Sequence, residues 1–344
     1  MTSLLEAHGL TKEFTTGSFF LRKKTVALEN FGMAILAEKP TIIAVAGESG
    51  SGKTTLARLL LGMIRPTEGE ILYQGKSLTQ MSGSEWRIFR REVQAIFQDP
   101  FEVYNPFYKV DHVLTTPVAK FHLADSKTAT RELIESAVRA VGLRPEETLG
   151  RYPHQLSGGQ RQRVMIARAL VLKPRIILAD EPVSMVDASL RATILESLLK
   201  LKRERGISIL YITHDLTTAY QLSDKITVLY QGRVVEVGDV DLVIKQPKHP
   251  YTQLLVNSIP LPNPKSRWGG GAITQTTEEQ VSRPNQGCRF ANRCPSRMPK
   301  CLESSPPLFR IDPNRGAACW LYSQLPATEP DKMLESTPVS GSTN

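Results

Sequence analysis

The sequence predicts an α/β fold, because short apolar runs typical of buried strands lead into segments with the pattern of helices. Apolar residues, many of them β-branched, fill the runs 41–46, 93–97, 175–179 and 208–213. An amphipathic helix is predicted at 188–204, where leucine and isoleucine recur at nearly helical spacing. Ligands of such sheets bind at the carboxyl ends of the strands, so the candidate functional residues are expected there.

A glycine-rich segment follows the first of these strands and has the pattern of a loop that binds phosphate. Glycine lets the backbone turn sharply and approach an anion, and the helix predicted from Thr54 onward points its free N–H groups at the same place. We expect the Lys53 ammonium to reach the β- and γ-phosphates and the Thr54 hydroxyl to bind Mg²⁺. This phosphate-binding loop comprises Gly47, Glu48, Ser49, Gly50, Ser51, Gly52, Lys53, Thr54 and Thr55.

Polar side chains follow the other three strands. Asp180 and Glu181 end the third apolar run, and adjacent residues at a strand end point in different directions. Asp180 can therefore hold Mg²⁺ while Glu181 orients the attacking water. His214 follows the fourth run, and we expect it to hydrogen-bond the γ-phosphate or that water. Gln98 follows the second run and offers a neutral amide to Mg²⁺ or to the water.

A third motif, Leu156-Ser157-Gly158-Gly159-Gln160, opens a long predicted helix at 160–172 and provides a second helix N-terminus suited to an anion. The three motifs, in this order, resemble those of the ATP-binding cassette (ABC) ATPases. The resemblance implies that Ser157, Gly158, Gly159 and Gln160 bind the γ-phosphate of an ATP held by an opposite subunit, so that two ATP molecules are sandwiched in a dimer. It also implies that Asp187 crosses the same interface.

Phe14 occupies the place where the family stacks an aromatic ring on adenine, and such stacking contributes roughly 1–3 kcal/mol in analogous sites. It lies further from the phosphate-binding loop than in short members, because residues 15–24 look like an insertion. Tyr73, Phe19 and Phe20 are alternative stacking residues, and Phe14 could also belong to the core.

The domain organisation follows from composition along the chain. Residues 1–260 are predicted to form an ABC nucleotide-binding domain, with an antiparallel β subdomain from 4–35 and 69–75 and a helical subdomain at about 85–160. Residues 261–286 read as a Pro-, Gly- and Ser-rich linker, and 287–324 as a small cysteine-bearing extension. The polar residues 325–344 are predicted to be disordered.

Charge and hydropathy limit the cellular setting. The net charge of +9 and the pI near 9.4 suit either a nucleic-acid binder or a protein resting on an anionic membrane face. No stretch approaches the roughly 18 apolar residues of a membrane span. The N-terminus lacks the pattern of a signal peptide, so we expect the chain to stay in the cytosol.

Four cysteines, Cys288, Cys294, Cys301 and Cys319, are confined to the extension. Disulfides are not expected in a reducing cytosol, and four thiolates around one centre suit either a [4Fe–4S] cluster or structural Zn²⁺. Four free buried thiols are the remaining alternative. A basic collar is expected to stabilise a negatively charged cluster, and it comprises Arg289, Arg293, Arg297 and Lys300. The family resemblance favours iron–sulfur over zinc.

Further segments resemble the oligopeptide and dipeptide importer branch of the ABC family, and within it the F-type ATPase subunit. They are Gln98-Asp99-Pro100, Asn105-Pro106, Arg151-Tyr152-Pro153-His154, His249-Pro250-Tyr251-Thr252 and Gly287-Cys288-Arg289-Phe290. The resemblance implies a peripheral subunit on the cytoplasmic face of the membrane. Its implied partners are a homologous second ATPase subunit, two permease subunits and an external binding protein, with no nucleic acid.

Three other functions stay open at this point. Some members of the branch carry oligosaccharides or nickel instead of peptides. A soluble ABC ATPase acting on ribosomes or DNA is the rival class, although the chain has one set of motifs and no sustained heptad run. A regulatory subunit without turnover is disfavoured by the presence of Lys53, Asp180, Glu181 and His214.

Overall fold

The computed structural model of the chain describes residues 2–16, 23–98, 104–184, 186–259 and 286–335. Two sheets and the helices around them confirm the predicted α/β class. Phe19 and Phe20, Asp99 and Pro100, and all but Gln286 of the expected linker lie outside the described residues.

The larger sheet has the order β11-β12-β10-β9-β3-β8-β7-β6 in the described part of the chain. Strands β6, β7, β8, β3 and β9 run parallel, and β10 to β12 are added antiparallel. Four of these strands match the apolar runs to within one residue at each end. The strands are β3 (Ile42–Ala46), β6 (Val93–Ile96), β7 (Ile176–Asp180), β8 (Ser208–Thr213), β9 (Lys225–Tyr230), β10 (Arg233–Asp239), β11 (Phe309–Asp312) and β12 (Arg315–Ala317).

The smaller sheet is antiparallel and has the order β2-β1-β4-β5. Its buried face packs on the larger sheet, since Leu5 and Phe31 share one hydrophobic core with Ile43 and Leu56. This packing places the hairpin of β1 and β2 beside the phosphate-binding loop. The strands are β1 (Ser3–Thr16), β2 (Lys23–Leu36), β4 (Glu68–Tyr73) and β5 (Lys76–Ser77).

Helices cover the larger sheet and form a separate helical region. A second core, which includes Leu114, Ile134 and Ile166, joins three of these helices to β7. Within the described ranges no helix is long and apolar enough to cross a membrane. The helices are α1 (Lys53–Leu60), α2 (Gly83–Glu92), α3 (Asp111–Phe121), α4 (Lys127–Ala140), α5 (Pro145–Thr148), α6 (Gly158–Val171), α7 (Ala188–Arg205), α8 (Leu216–Leu222), α9 (Val240–Lys245), α10 (Pro250–Asn257), α11 (Lys300–Glu303) and α12 (Pro330–Glu335).

The cysteine-bearing extension is continuous with the larger sheet. Ala317 of β12 pairs with Glu236 of β10, and Arg315 pairs with Gly238. Part of the tail expected to be disordered is instead the helix α12. Its Met333 and Leu334 are buried, and the Lys225 ammonium donates to both of their carbonyls, at 3.0 and 2.7 Å. Two buried apolar residues and this buried cation hold the segment in a helix, although its polar composition predicted disorder.

Candidate nucleotide-binding site

The phosphate-binding loop joins the carboxyl end of β3 to the N-terminus of α1 and forms the floor of a cleft of about 680 Å³. Residues of four strand ends and two helices converge on this cleft. The described residues that line it are Ala27, Glu48, Ser49, Gly50, Gly52, Lys53, Thr54, Thr55, Gln98, Glu181, His214 and Leu255.

Two glycines of the loop are required by the atoms around them. A Cβ on Gly52, which has φ of 103°, would lie 2.4 Å from the Ala27 carbonyl oxygen. A Cβ on Gly47 would lie 2.2 Å from the Leu229 carbonyl oxygen. The loop is therefore pressed against β2 and β9, and only glycine allows that approach.

Lys53 is buried at the start of α1, where its ammonium donates to the carbonyls of Gly47 at 2.7 Å and Glu48 at 2.9 Å. Burial lowers the pKa of Lys53, while the carboxylates of Glu181 and Asp180 oppose that shift. The ammonium thus lies inside the curve of the loop, next to two acidic side chains.

Glu181 and His214 meet across the cleft. The Glu181 Oε1 lies 2.9 Å from the His214 Nδ1, and the Glu181 N–H donates to the carbonyl of Ile212 at 2.9 Å. Glu181 has φ of 46°, which turns the chain sharply after β7. Burial and the neighbouring Glu181 raise the pKa of the Asp180 carboxyl. Glu181 thus contacts His214, while its charge also acts on Asp180.

Of the four residues considered for stacking on adenine, the structure describes Phe14 and Tyr73. Phe14 lies on β1, 39% exposed, with the Lys12 ammonium 5.3 Å from its ring centre, and it is not among the described residues that line the cleft. Tyr73 is 3% exposed, and its hydroxyl donates to Glu92 within the core between α2 and the smaller sheet. Tyr73 is therefore unavailable to a base.

The third phosphate motif begins α6. None of its residues is among the described residues that line the cleft of the same chain. The Ser157 hydroxyl accepts from the Gln160 N–H at 3.2 Å, and the Gln160 side chain accepts from the Ser157 N–H at 2.9 Å. This capping box fixes the N-terminus of α6, where Ser157 is exposed and Gly159 is buried. Asp187, also exposed, precedes α7 and makes no side-chain cap.

Two residues from outside the three motifs hold Glu48 of the phosphate-binding loop. Arg293 of the extension forms a two-pronged ion pair with its carboxylate, with both N–O distances at 3.0 Å. The Tyr251 hydroxyl of α10 accepts from the Glu48 N–H at 2.9 Å. The sequence signal was present in the cluster of arginines and in the His249–Thr252 motif, but spacing alone does not indicate these contacts.

Three of the four residues of the expected basic collar have partners other than the cysteines. Arg289 pairs with Glu29, Arg293 pairs with Glu48, and Lys300 lies 3.9 Å from the centre of the Trp320 ring. The charge of Arg297 does lower the pKa of Cys294, although burial raises that pKa more. Arg289 and Arg293 therefore attach the extension to the nucleotide-binding domain.

The four cysteines are all free and lie in one region of the extension. Burial, followed by the nearby cysteines, raises the pKa of Cys288 and raises that of Cys319 to about 11. The thiols are thus close enough to influence one another. Among the described residues, however, no group of three or more His, Cys, Asp or Glu side chains is arranged to hold a metal ion. The donor atoms fit a thiolate-bound centre in kind, while their present spacing does not form one.

Two known protein families match this chain, one over the nucleotide-binding domain and one towards the C-terminus. A family described as "ABC transporter" matches residues 32–184, and one described as "Oligopeptide/dipeptide transporter, C-terminal region" matches residues 235–301. The oligopeptide transport ATP-binding protein OppF of Escherichia coli (strain K12) is 38% identical over 280 residues, covering 80% of this chain and 83% of OppF. YkfD of Bacillus subtilis (strain 168) is 38% identical over 327 residues, covering 95% of this chain and 98% of YkfD.

Solved structures support the same assignment. The dimeric structure of the ATP-binding cassette MJ0796 in a post-hydrolysis state, bound to ADP and Pi, is 28% identical with a TM-score of 0.60. It matches 69% of this chain and 99% of that one. The predicted resemblance is thereby confirmed, and the chain belongs to the ATP-binding cassette ATPases of ABC transporters, in the oligopeptide/dipeptide transporter branch.

Proposed function

We propose that the chain is the ATP-hydrolysing subunit that powers an importer of oligopeptides or dipeptides, acting at the cytoplasmic face of the membrane. The observation that carries the proposal is the division of the phosphate motifs. Lys53, Glu181 and His214 line one cleft, whereas no residue of the motif at the start of α6 is among the described residues that line it. Such a half-site suits an ATPase that works in pairs, and the relatives named for oligopeptide transport indicate the cargo.

Nucleotide binding uses the floor of the cleft. The backbone N–H groups of the phosphate-binding loop surround the β- and γ-phosphates, and the Lys53 ammonium exchanges part of its carbonyl contacts for phosphate oxygens. Thr54, Asp180 and Gln98 offer the oxygen ligands that Mg²⁺ prefers. When bound, Mg²⁺ neutralises the charge that develops on the phosphates. Phe14 stacks on the adenine from the β1–β2 hairpin.

Hydrolysis depends on the pair at the ends of β7 and β8. Glu181 is anchored through its N–H to Ile212, so its carboxylate can orient a water for in-line attack. His214 holds that carboxylate at 2.9 Å and can extend its other ring nitrogen to the γ-phosphate. Gln98 contacts the same water or the metal.

A second, homologous ATPase subunit completes the site. Ser157, Gly158, Gly159 and Gln160 of one subunit bind the γ-phosphate held by the other, and Asp187 crosses the same interface. The Ser157 oxygen already accepts from Gln160, but its O–H remains able to donate to a phosphate. ATP closes the pair, and this closure drives two permease subunits that receive cargo from an external binding protein; hydrolysis reopens the pair.

Cys288, Cys294, Cys301 and Cys319 are proposed to hold a structural [4Fe–4S] cluster, with Zn²⁺ as the alternative. The proposal rests on the four thiols that influence one another in a single region. Native protein prepared without oxygen is expected to contain about four irons per chain and to absorb near ~400 nm, and Cys294→Ser to lose the iron. Zinc in place of iron would change the assignment to a structural zinc site. A protein that contains neither iron nor zinc would indicate four free thiols.

The cargo is tested with the purified transporter and its external binding protein. Oligopeptides are expected to raise the rate of ATP hydrolysis severalfold, by the closure described above. Stimulation by oligosaccharide or nickel but not by peptide would reject peptide as the cargo and leave the transport role in place. Stimulation by ribosomes or DNA, without association with permease subunits, would reject the transport role.

A further inference from the structure

We propose that Arg293 is a positioning residue for the phosphate-binding loop, so that the C-terminal extension contributes directly to ATP affinity. The inference rests on the proposed role of this loop in nucleotide binding. It assigns to one side chain of the extension a function that is independent of what the cysteines bind.

The contact between Arg293 and Glu48 is specific in its geometry. Nη1 lies 3.0 Å from Oε2 and Nη2 lies 3.0 Å from Oε1, so the guanidinium meets the carboxylate with two parallel hydrogen bonds. The two residues are 245 positions apart in the chain. A two-pronged pair fixes orientation as well as distance, which a single charge contact does not.

Two aromatic rings hold the Arg293 side chain in place. Its guanidinium carbon lies 5.7 Å from the ring centres of both Tyr230 and Phe290. Phe290 is buried and packs at 5.5 Å against the ring of Tyr251, whose hydroxyl accepts from the Glu48 N–H. Glu48 is therefore held at its side chain and its backbone by one aromatic cluster formed from β9, α10 and the extension.

The position of Glu48 determines the surroundings of Lys53. The Glu48 carbonyl accepts from the Lys53 ammonium at 2.9 Å, so movement of Glu48 alters the placement of the cation that reaches the phosphates. Glu181 and His214 make no contact with Arg293 that the structure describes. Loss of the Arg293–Glu48 pair should therefore weaken binding of the nucleotide without changing the hydrolysis of ATP once bound.

The test compares Arg293→Gln, Glu48→Gln and the double variant in the complete transporter, with Arg297→Gln as the matched control. We expect the KM for ATP to rise roughly tenfold in each of the three, with kcat within about twofold, because uniform binding is lost. The double variant should be no worse than either single one, because both remove one pair. Arg293→Lys should restore part of the affinity, and Arg297→Gln should match the wild type.

The outcomes of this test distinguish the positioning role of Arg293 from the proposed nucleotide site. An unchanged KM in Arg293→Gln, or effects that add in the double variant, would overturn the inference. If Arg293→Gln fails to fold, Glu48→Gln alone must show the rise in KM. Lys53→Ala serves as the reference for the site: if it keeps wild-type ATP affinity, the proposed nucleotide site is wrong, whereas loss in Lys53→Ala without loss in Arg293→Gln rejects the positioning role alone.

Discussion

Gly50 and Gly52 lie two residues apart and both have positive φ, 75° and 103°, but their surroundings differ. A Cβ on Gly50 meets no atom within 4 Å, whereas one on Gly52 meets the Ala27 carbonyl oxygen at 2.4 Å. We expect Gly50→Ala to lower the free energy of unfolding by about 1–2 kcal/mol, from backbone strain alone. Gly52→Ala should lower it by about 2–5 kcal/mol, because overpacking is added. Chemical denaturation checks the difference, and equal losses would contradict it.

Glu181→Gln tests the residue assigned to orient water. The amide keeps the size of the side chain but loses the charge, so nucleotide binding should persist while hydrolysis falls on the order of 10²–10⁴-fold. ATPase assays in the complete transporter, beside a nucleotide-binding assay, give the two values. An unimpaired rate would remove Glu181 from the mechanism.

Individual residues were predictable from sequence where a motif fixes backbone geometry. Glu181 and His214 lie together as expected, because parallel strands bring their carboxyl ends to one edge of the sheet. The pairing of Arg293 with Glu48 was not predictable, because it depends on how the extension packs on the domain. The sequence assigned that arginine to a collar for the cysteines, and its ion pair with Glu48 was not foreseen for the same reason.

At the scale of elements, the N-terminus of α6 offers a test that separates stability from function. Ser157 caps this helix, and aspartate caps as well as serine does. Ser157→Asp should therefore keep the thermal stability of the chain, while its negative charge repels the γ-phosphate of the opposite subunit and abolishes ATP-driven closure. Ser157→Ala should instead lose about 1 kcal/mol of stability. Closure that survives in Ser157→Asp would contradict the proposed contact.

The junction of β10 and α10 carries two buried titrating groups with opposite shifts. Burial lowers the pKa of His249 from 6.5 to about 3. Between these two pH values the unfolded chain binds a proton at His249 and the folded chain does not, so the free energy of unfolding falls on acidification. Burial raises the pKa of Glu236 from 4.5 to about 7, so the folded chain holds a proton that the unfolded chain loses, and stability rises on acidification to pH 4.5.

The two effects should largely cancel between pH 6.5 and 4.5 in the wild type. Acidification over this range should stabilise His249→Asn, which retains an acceptor for the Tyr251 N–H, and should destabilise Glu236→Gln. Thermal unfolding at several pH values, with the wild type as reference, checks both signs. Parallel curves for the three proteins would contradict the opposed shifts.

Elements with a regular apolar pattern were predictable, and elements whose order depends on tertiary contacts were not. The amphipathic pattern at 188–204 corresponds to α7, and the apolar run 208–213 is β8. Helix α3 contains Pro117 and was missed, because burial of Leu114 and Val118 outweighs the cost of an internal proline. Helix α12 was missed because its order depends on the buried Lys225.

At the scale of the whole molecule, the absence of the α6 motif from the described lining of the cleft predicts a slow isolated subunit. The α6 motif is absent from the described residues that line the cleft, so under the proposed function one subunit alone supplies half of a site. Addition of the homologous subunit and the permeases should raise ATP hydrolysis by at least about tenfold, as expected when an anion-binding group is supplied to the transition state. A fully active monomer would contradict the shared site.

The most direct test of the transport role is peptide uptake into proteoliposomes that contain the complete transporter and enclose ATP. Labelled oligopeptide, supplied outside with the binding protein, should accumulate only when ATP is enclosed. Accumulation should cease with Glu181→Gln, whose chain still binds ATP but turns it over on the order of 10²–10⁴-fold more slowly. Uptake that is independent of enclosed ATP, or that is unchanged in Glu181→Gln, would contradict the account.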